Sequence, residues 1–249
     1  MRRLTILLTA VLFCAVFGVW SCGECRGSES IDYRVRRCKG LIHIKQRIPK
    51  GSVSGSLPPK DVVADKSEVF YKALSILPLK FIRASGIKNV TFVSHPKLKG
   101  KEVGGVACGE NIYISVECCN PHVIYHELFH VFDEKPQDRR WTRINHRRFL
   151  YTGSQYYPSH LKGRKERRRQ DNLKQKTFDP DFVSGYAMSN EQEDRAETFA
   201  AMLVEGERFL QRTEKSPVLK KKMEYIIKVT RYRLETGFWE RHLHLKEGI

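Results

Sequence analysis

Hydrophobic positions divide the chain into one unbroken apolar run and a series of short periodic segments. The run covers residues 4–20, carries no charge, follows Arg2 and Arg3, and precedes Ser21, Cys22 and Gly23. A basic start, an apolar middle and a small-residue end are the order of a secretory signal peptide, and the run is short for the roughly 20 residues that span a bilayer. Residues 1–21 are therefore expected to be a signal peptide, with an uncleaved anchor as the alternative. Residues 22–60 are rich in Gly, Ser, Pro and Lys, with only 41–44 strand-like, and read as a partly ordered lead-in. From residue 61 to 249 the pattern is that of a folded domain. Val69, Phe70, Ala73, Leu74 and Ile76 keep helical spacing over 65–76, and Pro78 ends that segment. Residues 90–93 and 111–116 are short strands. Asn120 and Pro121 supply a cap and a first-turn proline for a helix over 121–133. The periodicity then lapses over about 135–180, which reads as a basic insertion. Ser189 and Gln192 have the spacing of a capping box and open a helix carrying Glu193, Ala196, Glu197, Ala200 and Leu203. A last helix is expected over about 217–234. The sum is an α+β fold: a small twisted sheet beside one helix, then a mainly helical half.

Charge changes this picture in one place. The formal net charge is +17, which favours anionic partners. Its densest run lies in residues 162–176, from Lys162 to Lys176, where Arg167, Arg168 and Arg169 are consecutive and few apolar residues occur. Such a run reads first as a solvated loop, and otherwise as a docking surface for an acidic partner, acidic glycan or anionic membrane. Phe149, Tyr151, Tyr156 and Tyr157 could stack on bases, but no nucleic-acid-binding signature is present and no specific nucleic acid is expected. Six of the seven cysteines follow the leader, which in an exported chain suggests disulfides. Cys22-x-x-Cys25 lacks a matching second pair. Cys22 also ends a segment like a lipobox, although Trp20 departs from its small-residue pattern. An exported location is expected: secreted, periplasmic or surface-anchored, with Cys22 a candidate for lipidation.

The chemistry concentrates in His126-Glu127-Leu128-Phe129-His130. On a helix, positions i and i+4 share a face, so both imidazoles can aim at one metal ion while Glu127 reaches a water bound to it. Two nitrogens then hold zinc, the carboxylate takes a proton, and zinc lowers the pKa of that water toward about 7. A surface helix can carry the same residues by chance. Here Ile124, Tyr125, Val131 and Phe132 flank them, so the helix is expected to be buried, and burying such polar groups needs a reason. A catalytic zinc needs a third protein ligand. Asp133 and Pro136 stand where an extended histidine motif would place Gly and His, so the ligand must come from further along. Glu193 lies on one helix face with Ala196, Ala200 and Val204, and Asp194 is its rival, pointing to the polar side of the helical wheel. Glu197, one turn beyond Glu193, can accept a hydrogen bond from a ligand histidine and fix its tautomer. Otherwise Glu193 and Glu197 are two exposed acids.

His126-Glu-Leu-Phe-His130 together with Glu193-Asp-Arg-Ala-Glu197-Thr-Phe199-Ala resembles the gluzincin-type zinc peptidases. The likeness is to the exported bacterial zinc-binding metallopeptidases and, more distantly, to the anthrax lethal factor catalytic domain and the Pro-Pro endopeptidases. Trp141-x-x-Ile-Asn145 and Phe149-x-Tyr151-x-Gly153 are similar to the segment after the active-site helix in the exported group. The resemblance implies a zincin-like fold, one zinc per chain, Glu193 as third ligand, and Glu197 as the second acid of the pattern. It also implies a transition-state role for Tyr186, seven positions before the ligand, where a phenol could donate to a developing oxyanion. The expected activity is an endopeptidase acting on a protein or peptide substrate, with Glu127 as general base. The alternatives are a zinc amidohydrolase on a cell-wall component, and a non-catalytic surface protein binding anionic partners through its basic insertion.

Overall fold

Alternation of apolar residues builds the centre of the sheet. Strand β3 (Asn89–Leu98) sends Val90 and Phe92 into the main core and Val93 into a smaller cluster on the other face. Strand β6 (Asn111–Ser115) repeats this with Ile112 and Ile114 against Tyr113. The period of two in these segments is thus the pleat of a sheet with unequal faces. The strands pair in parallel, Val90 opposite Ile112 and Phe92 opposite Ile114. β1 (His43–Ile44) pairs in parallel with β3, and β5 (Gly105–Cys108) pairs antiparallel with β6. The order is β1-β3-β6-β5, so β5 forms one edge. The outer end of β3 also pairs with β2 (Ser54–Ser56) and β4 (Lys101–Glu102).

This computed structural model describes residues 30–49, 53–133, 138–152 and 179–245. The expected signal peptide, Cys22 and Cys25, and the basic run from Lys162 to Lys176 lie outside the described residues. No helix among the described residues is long and apolar enough to cross a membrane. Nine α-helices are described: α1 (Ile31–Lys39), α2 (Lys60–Leu74), α3 (Leu79–Ser85), α4 (Pro121–Phe132), α5 (Arg139–Thr142), α6 (Glu191–Glu205), α7 (Glu207–Lys215), α8 (Pro217–Thr230) and α9 (Phe238–Leu243). The fold is therefore α+β, with a small sheet and a mainly helical second half.

Several segments differ from the sequence expectation for local reasons. The stretch 22–60 holds α1, whose one buried residue, Cys38, leaves little apolar periodicity to detect. Pro78 does more than end a helix: α2 stops at Leu74, and Pro78 is the N-cap of α3. Within 135–180, residues 138–152 are built into the core, since α5 buries Trp141 completely. The helix expected over 217–234 ends at Thr230, and α7 and α9 flank it. Cys38, Cys108, Cys118 and Cys119 are free thiols, so no disulfide joins cysteines among the described residues. Burial pushes the Cys38 thiol up to about 11, against the opposing effect of Arg34.

Helix α6 is the structural centre of the second half. Ala196, Phe199, Ala200, Ala201, Met202 and Leu203 are all buried in it. It packs on α4 through Phe129 and Phe199, whose rings lie 4.7 Å apart, while Phe81 of α3 stacks on Phe199 at 5.6 Å. Each such aromatic contributes about 1.5–3 kcal/mol of burial. Arg195 of α6, itself buried, pairs with Asp133 at the end of α4. These contacts fix the two helices that carry the sequence motifs against each other.

Candidate metal centre

Local capping sets the register of both site helices. Asn120 Oδ1 accepts from Val123 N at 3.1 Å, and Pro121 occupies the first turn of α4, as its sequence implies. In α6 the cap is Asn190, not Ser189. Asn190 Oδ1 accepts from Gln192 N at 2.9 Å and from Glu193 N at 3.0 Å. The cap therefore holds the backbone of Glu193 itself. Ser189 instead closes a 3-10 turn over Tyr186–Met188.

The structure brings His126, His130 and Glu193 together. His126 Nε2 lies 3.0 Å from Glu193 Oε2, His130 Nε2 lies 3.1 Å from the same oxygen, and the two Nε2 atoms are 3.0 Å apart. Hydrogen bonds alone explain this triangle poorly. Two N–H groups sharing one acceptor would crowd their protons together, whereas lone pairs aimed at a central cation complement it. Zinc bonded at about 2.0–2.1 Å in a tetrahedral site needs its ligand atoms roughly 3.3 Å apart. The observed spacings fall slightly inside that value, so the donor set fits zinc with a small expansion.

Glu197 stands behind His126. Its Oε1 is 2.8 Å from His126 Nδ1, off the line of a straight hydrogen bond, and 3.0 Å from His122 Nε2. Its Oε2 accepts from Ser184 Oγ at 2.5 Å. His122 Nε2, His126 Nδ1 and Glu197 Oε1 thus form a second close donor set on the far side of the same imidazole. Neither His122 nor Ser184 was singled out by sequence. His122 is one helical turn before His126, and that i, i+4, i+8 spacing was the available signal.

Glu127 is buried beside the triangle, against the edge strand. A Cβ on Gly105 would sit 2.6 Å from Glu127 Cγ, so β5 approaches this closely only because residue 105 has no side chain. Burial pushes the Glu127 carboxyl up, while the two histidines and a hydrogen bond from the Ala107 N–H act the other way. For Glu193 burial also acts upward, but hydrogen bonds from His126 and His130 hold the carboxyl well below its usual range. The same opposition, with His122 and His126 as partners, holds Glu197 low. Burial would lower the His126 imidazole, yet pairing with Glu193 and Glu197 carries it up to about 10. A divalent cation held by the imidazole lone pairs would take the place of the proton that this pairing favours and face the Glu193 carboxylate directly.

Tyr186 is 41% exposed, with its ring centroid 5.8 Å from that of His126. A cleft of about 610 Å³ includes Tyr186, His122, Glu127 and the triangle on one side and Val103 to Ala107 on the other.

Asp194, the rival ligand, belongs elsewhere. It is fully buried, not on a polar face, and bonds Lys222 Nζ at 3.0 Å, Tyr151 OH at 2.7 Å and Trp141 Nε1 at 3.0 Å. The helical wheel fails because the side of α6 away from the metal packs on α8, which delivers Lys222 into the core. Asn145 Nδ2 donates to the same Tyr151 hydroxyl at 2.8 Å. Trp141, Asn145 and Tyr151, noticed in sequence as a pattern, are therefore the lining of the Asp194 site.

Comparisons with known proteins bear on the region that holds these residues. Residues 110–232, just under half of the chain, match the family described as "Putative zinc-binding metallo-peptidase". No curated protein matches the sequence. Among solved structures, a crystal structure of a "putative zinc-binding metallo-peptidase" from Bacteroides caccae has a TM-score of 0.51 and 16% identity, covering 88% of this chain and 93% of that one. The family match and the His/Glu cluster within it support zinc as the metal, and the chain is similar to proteins described as "putative zinc-binding metallo-peptidase", in sequence across the site and in fold across most of its length.

Proposed function

We propose that this chain is a zinc-dependent endopeptidase that hydrolyses peptide bonds in a protein or peptide substrate. One observation carries the reading: His126 Nε2, His130 Nε2 and Glu193 Oε2 converge within 3.1 Å in a cleft that also holds the buried Glu127. Zinc bound there would polarise a substrate carbonyl and lower the pKa of water. Glu127 is suited to accept a proton from that water and return it to the leaving amine, because its burial favours the protonated state. The Tyr186 phenol, at the mouth of the cleft, donates a hydrogen bond to the oxygen that gains charge. Peptide is favoured over other amides by the wall opposite. β5 is the terminal strand of the sheet order and lines the cleft, so an extended peptide can pair with its edge. Export, resting on residues 1–21, belongs to the same reading.

The test is Glu127→Gln assayed with zinc on a random peptide library and on cell-wall fragments. The variant should keep its zinc and lose turnover by about 10³-fold, within the usual range for a general base. Equal turnover in the variant would end the proposal. Wild type that cleaves cell-wall fragments but no peptide would transfer it to an amidohydrolase.

A further inference from the structure

Glu197 divides its two oxygens between two different parts of the site. Oε1 faces the α4 histidines, His126 at 2.8 Å and His122 at 3.0 Å. Oε2 faces away from them and accepts the Ser184 hydroxyl proton at 2.5 Å. Ser184 Oγ has one proton and has given it to this carboxylate, so toward its other neighbour it must accept. It does: the Ala187 N–H donates to it at 3.0 Å. Ala187 is the middle residue of the Tyr186–Met188 turn and is fully buried. Hydrogen bonds therefore run from the Ala187 amide to Ser184 Oγ and from the Ser184 hydroxyl to Glu197, whose other oxygen lies 2.8 Å from the His126 imidazole.

The rest of the turn is pinned by groups remote from the metal. Thr152 donates through its amide (2.9 Å) and its hydroxyl (3.1 Å) to Met188 O. Arg212 donates to the carbonyls of Phe182 and Val183 at 3.1 and 3.0 Å. Of these bonds, the one through Ser184 reaches the metal centre. Tyr186 itself is half-exposed, its ring lies beside that of His126, and its backbone belongs to the turn that this bond holds.

We propose that Ser184 is a positioning residue that ties the Tyr186 turn to the metal centre through Glu197, which rests on the reading of Tyr186 as an oxyanion donor. Its hydroxyl sets where the phenol stands relative to His126, and displacements of about 1 Å at such a group cost up to 10²-fold in rate. A serine that merely stabilised the fold would have no reason to act through one tyrosine.

The experiment compares Ser184→Ala, Ser184→Thr, Tyr186→Phe and the Ser184→Ala/Tyr186→Phe double variant, zinc-loaded, on a peptide that wild type cleaves. Ser184→Ala should lower kcat about 10-fold with KM unchanged, and Tyr186→Phe about 10²-fold, the scale of one lost oxyanion donor. The double variant should match Tyr186→Phe within about 2-fold, since a residue acting through the phenol loses its effect once the phenol is gone. Ser184→Thr should restore kcat, and zinc affinity by chelator competition should stay within about 3-fold of wild type in Ser184→Ala. Independent of turnover, the Ala187 amide should lose hydrogen-exchange protection in both Ser184→Ala and Glu197→Ala. Multiplying losses in the double variant, or a zinc affinity that falls in step with kcat, would overturn the proposal. Tyr186→Phe with wild-type kcat would remove the tyrosine reading and the proposal with it. If wild type cleaves no peptide, the exchange measurement still decides: an Ala187 amide as protected in Ser184→Ala as in wild type overturns the link, while the peptidase reading fails on its own evidence.

Discussion

Glu193 and Asp194 are neighbours on α6, and each sits in a network of named partners, yet the two networks are finished differently. Asp194 has a cation of its own. Lys222 lies 3.0 Å away, both side chains are fully buried, and Tyr151 and Trp141 supply further donors. The Lys222 ammonium also rests 3.4 Å from the Phe182 ring centroid and donates to Asp181 O at 2.9 Å. Glu193 faces two imidazoles and an open cleft, with Glu127 and Glu197 close by. The first network takes its cation from within the protein and fastens α6 to α8. The second has its negative charge and its lone pairs arranged for a cation from outside. A buried acid adjacent to a metal motif is thus no guide to ligation by itself; what completes its charge is.

The largest effect expected from this contrast is on the fastening side. Burial pushes Asp194 up and Lys222 down, and their pairing is the largest opposing effect on each. Lys222→Met leaves a carboxylate in the core without its cation, which costs about 3–5 kcal/mol. Denaturant unfolding of chelator-treated protein measures this. Asp194→Asn combined with Lys222→Met should recover much of the loss, because the pair is then removed together. A loss below about 1 kcal/mol for Lys222→Met alone would show that Asp194 is not the fastener described, since that is an ordinary effect for a single substitution.

Legibility in the sequence followed the same divide. The metal side was readable because its chemistry is local. Asn120-Pro121 starts α4, and the i, i+4 spacings of His126 with His130 and of Glu193 with Glu197 each lie on one helix. The fastening side was not, because it is assembled from four separate segments. Nothing near Asp194 in sequence tells that Lys222, 28 residues on, will enter the core. The strands at 90–93 and 111–116 were visible from alternation, while β5, four residues with no alternation of buried and exposed positions, shows none. Ser189 and Asn190 are both good caps, and only the backbone at 190, extended before Glu191, decides between them. Ser184 and His122 are ordinary polar residues until α6 places Glu197 between them.

An intermediate effect is expected at Glu193. Glu193→Ala should weaken zinc more than about 10²-fold, or roughly 2.7 kcal/mol, as judged by chelator competition on purified protein. Chelated wild type and chelated variant should differ in stability by no more than about 1 kcal/mol. That combination, lost metal with a kept fold, is the reverse of Lys222→Met. Unchanged zinc in Glu193→Ala would move the third ligand elsewhere and dissolve the contrast between the two neighbours.

The smallest effect separates the two donor sets that share His126. If zinc sits in the triangle, Glu197 touches only the far nitrogen of the imidazole, and its removal costs what partners of ligand histidines cost, about 10- to 100-fold in affinity. Glu197→Gln keeps the shape and one acceptor oxygen, so the loss should fall at the lower end. If instead the metal preferred His122 Nε2, His126 Nδ1 and Glu197 Oε1, Glu197→Gln would remove a charged ligand and match or exceed Glu193→Ala, and His122→Ala would weaken zinc as strongly. The geometry argues for the triangle, because Glu127 and the cleft lie on that side of the imidazole. A ranking of zinc affinities with Glu193→Ala weakest, Glu197→Gln intermediate and His122→Ala near wild type is the order this arrangement requires.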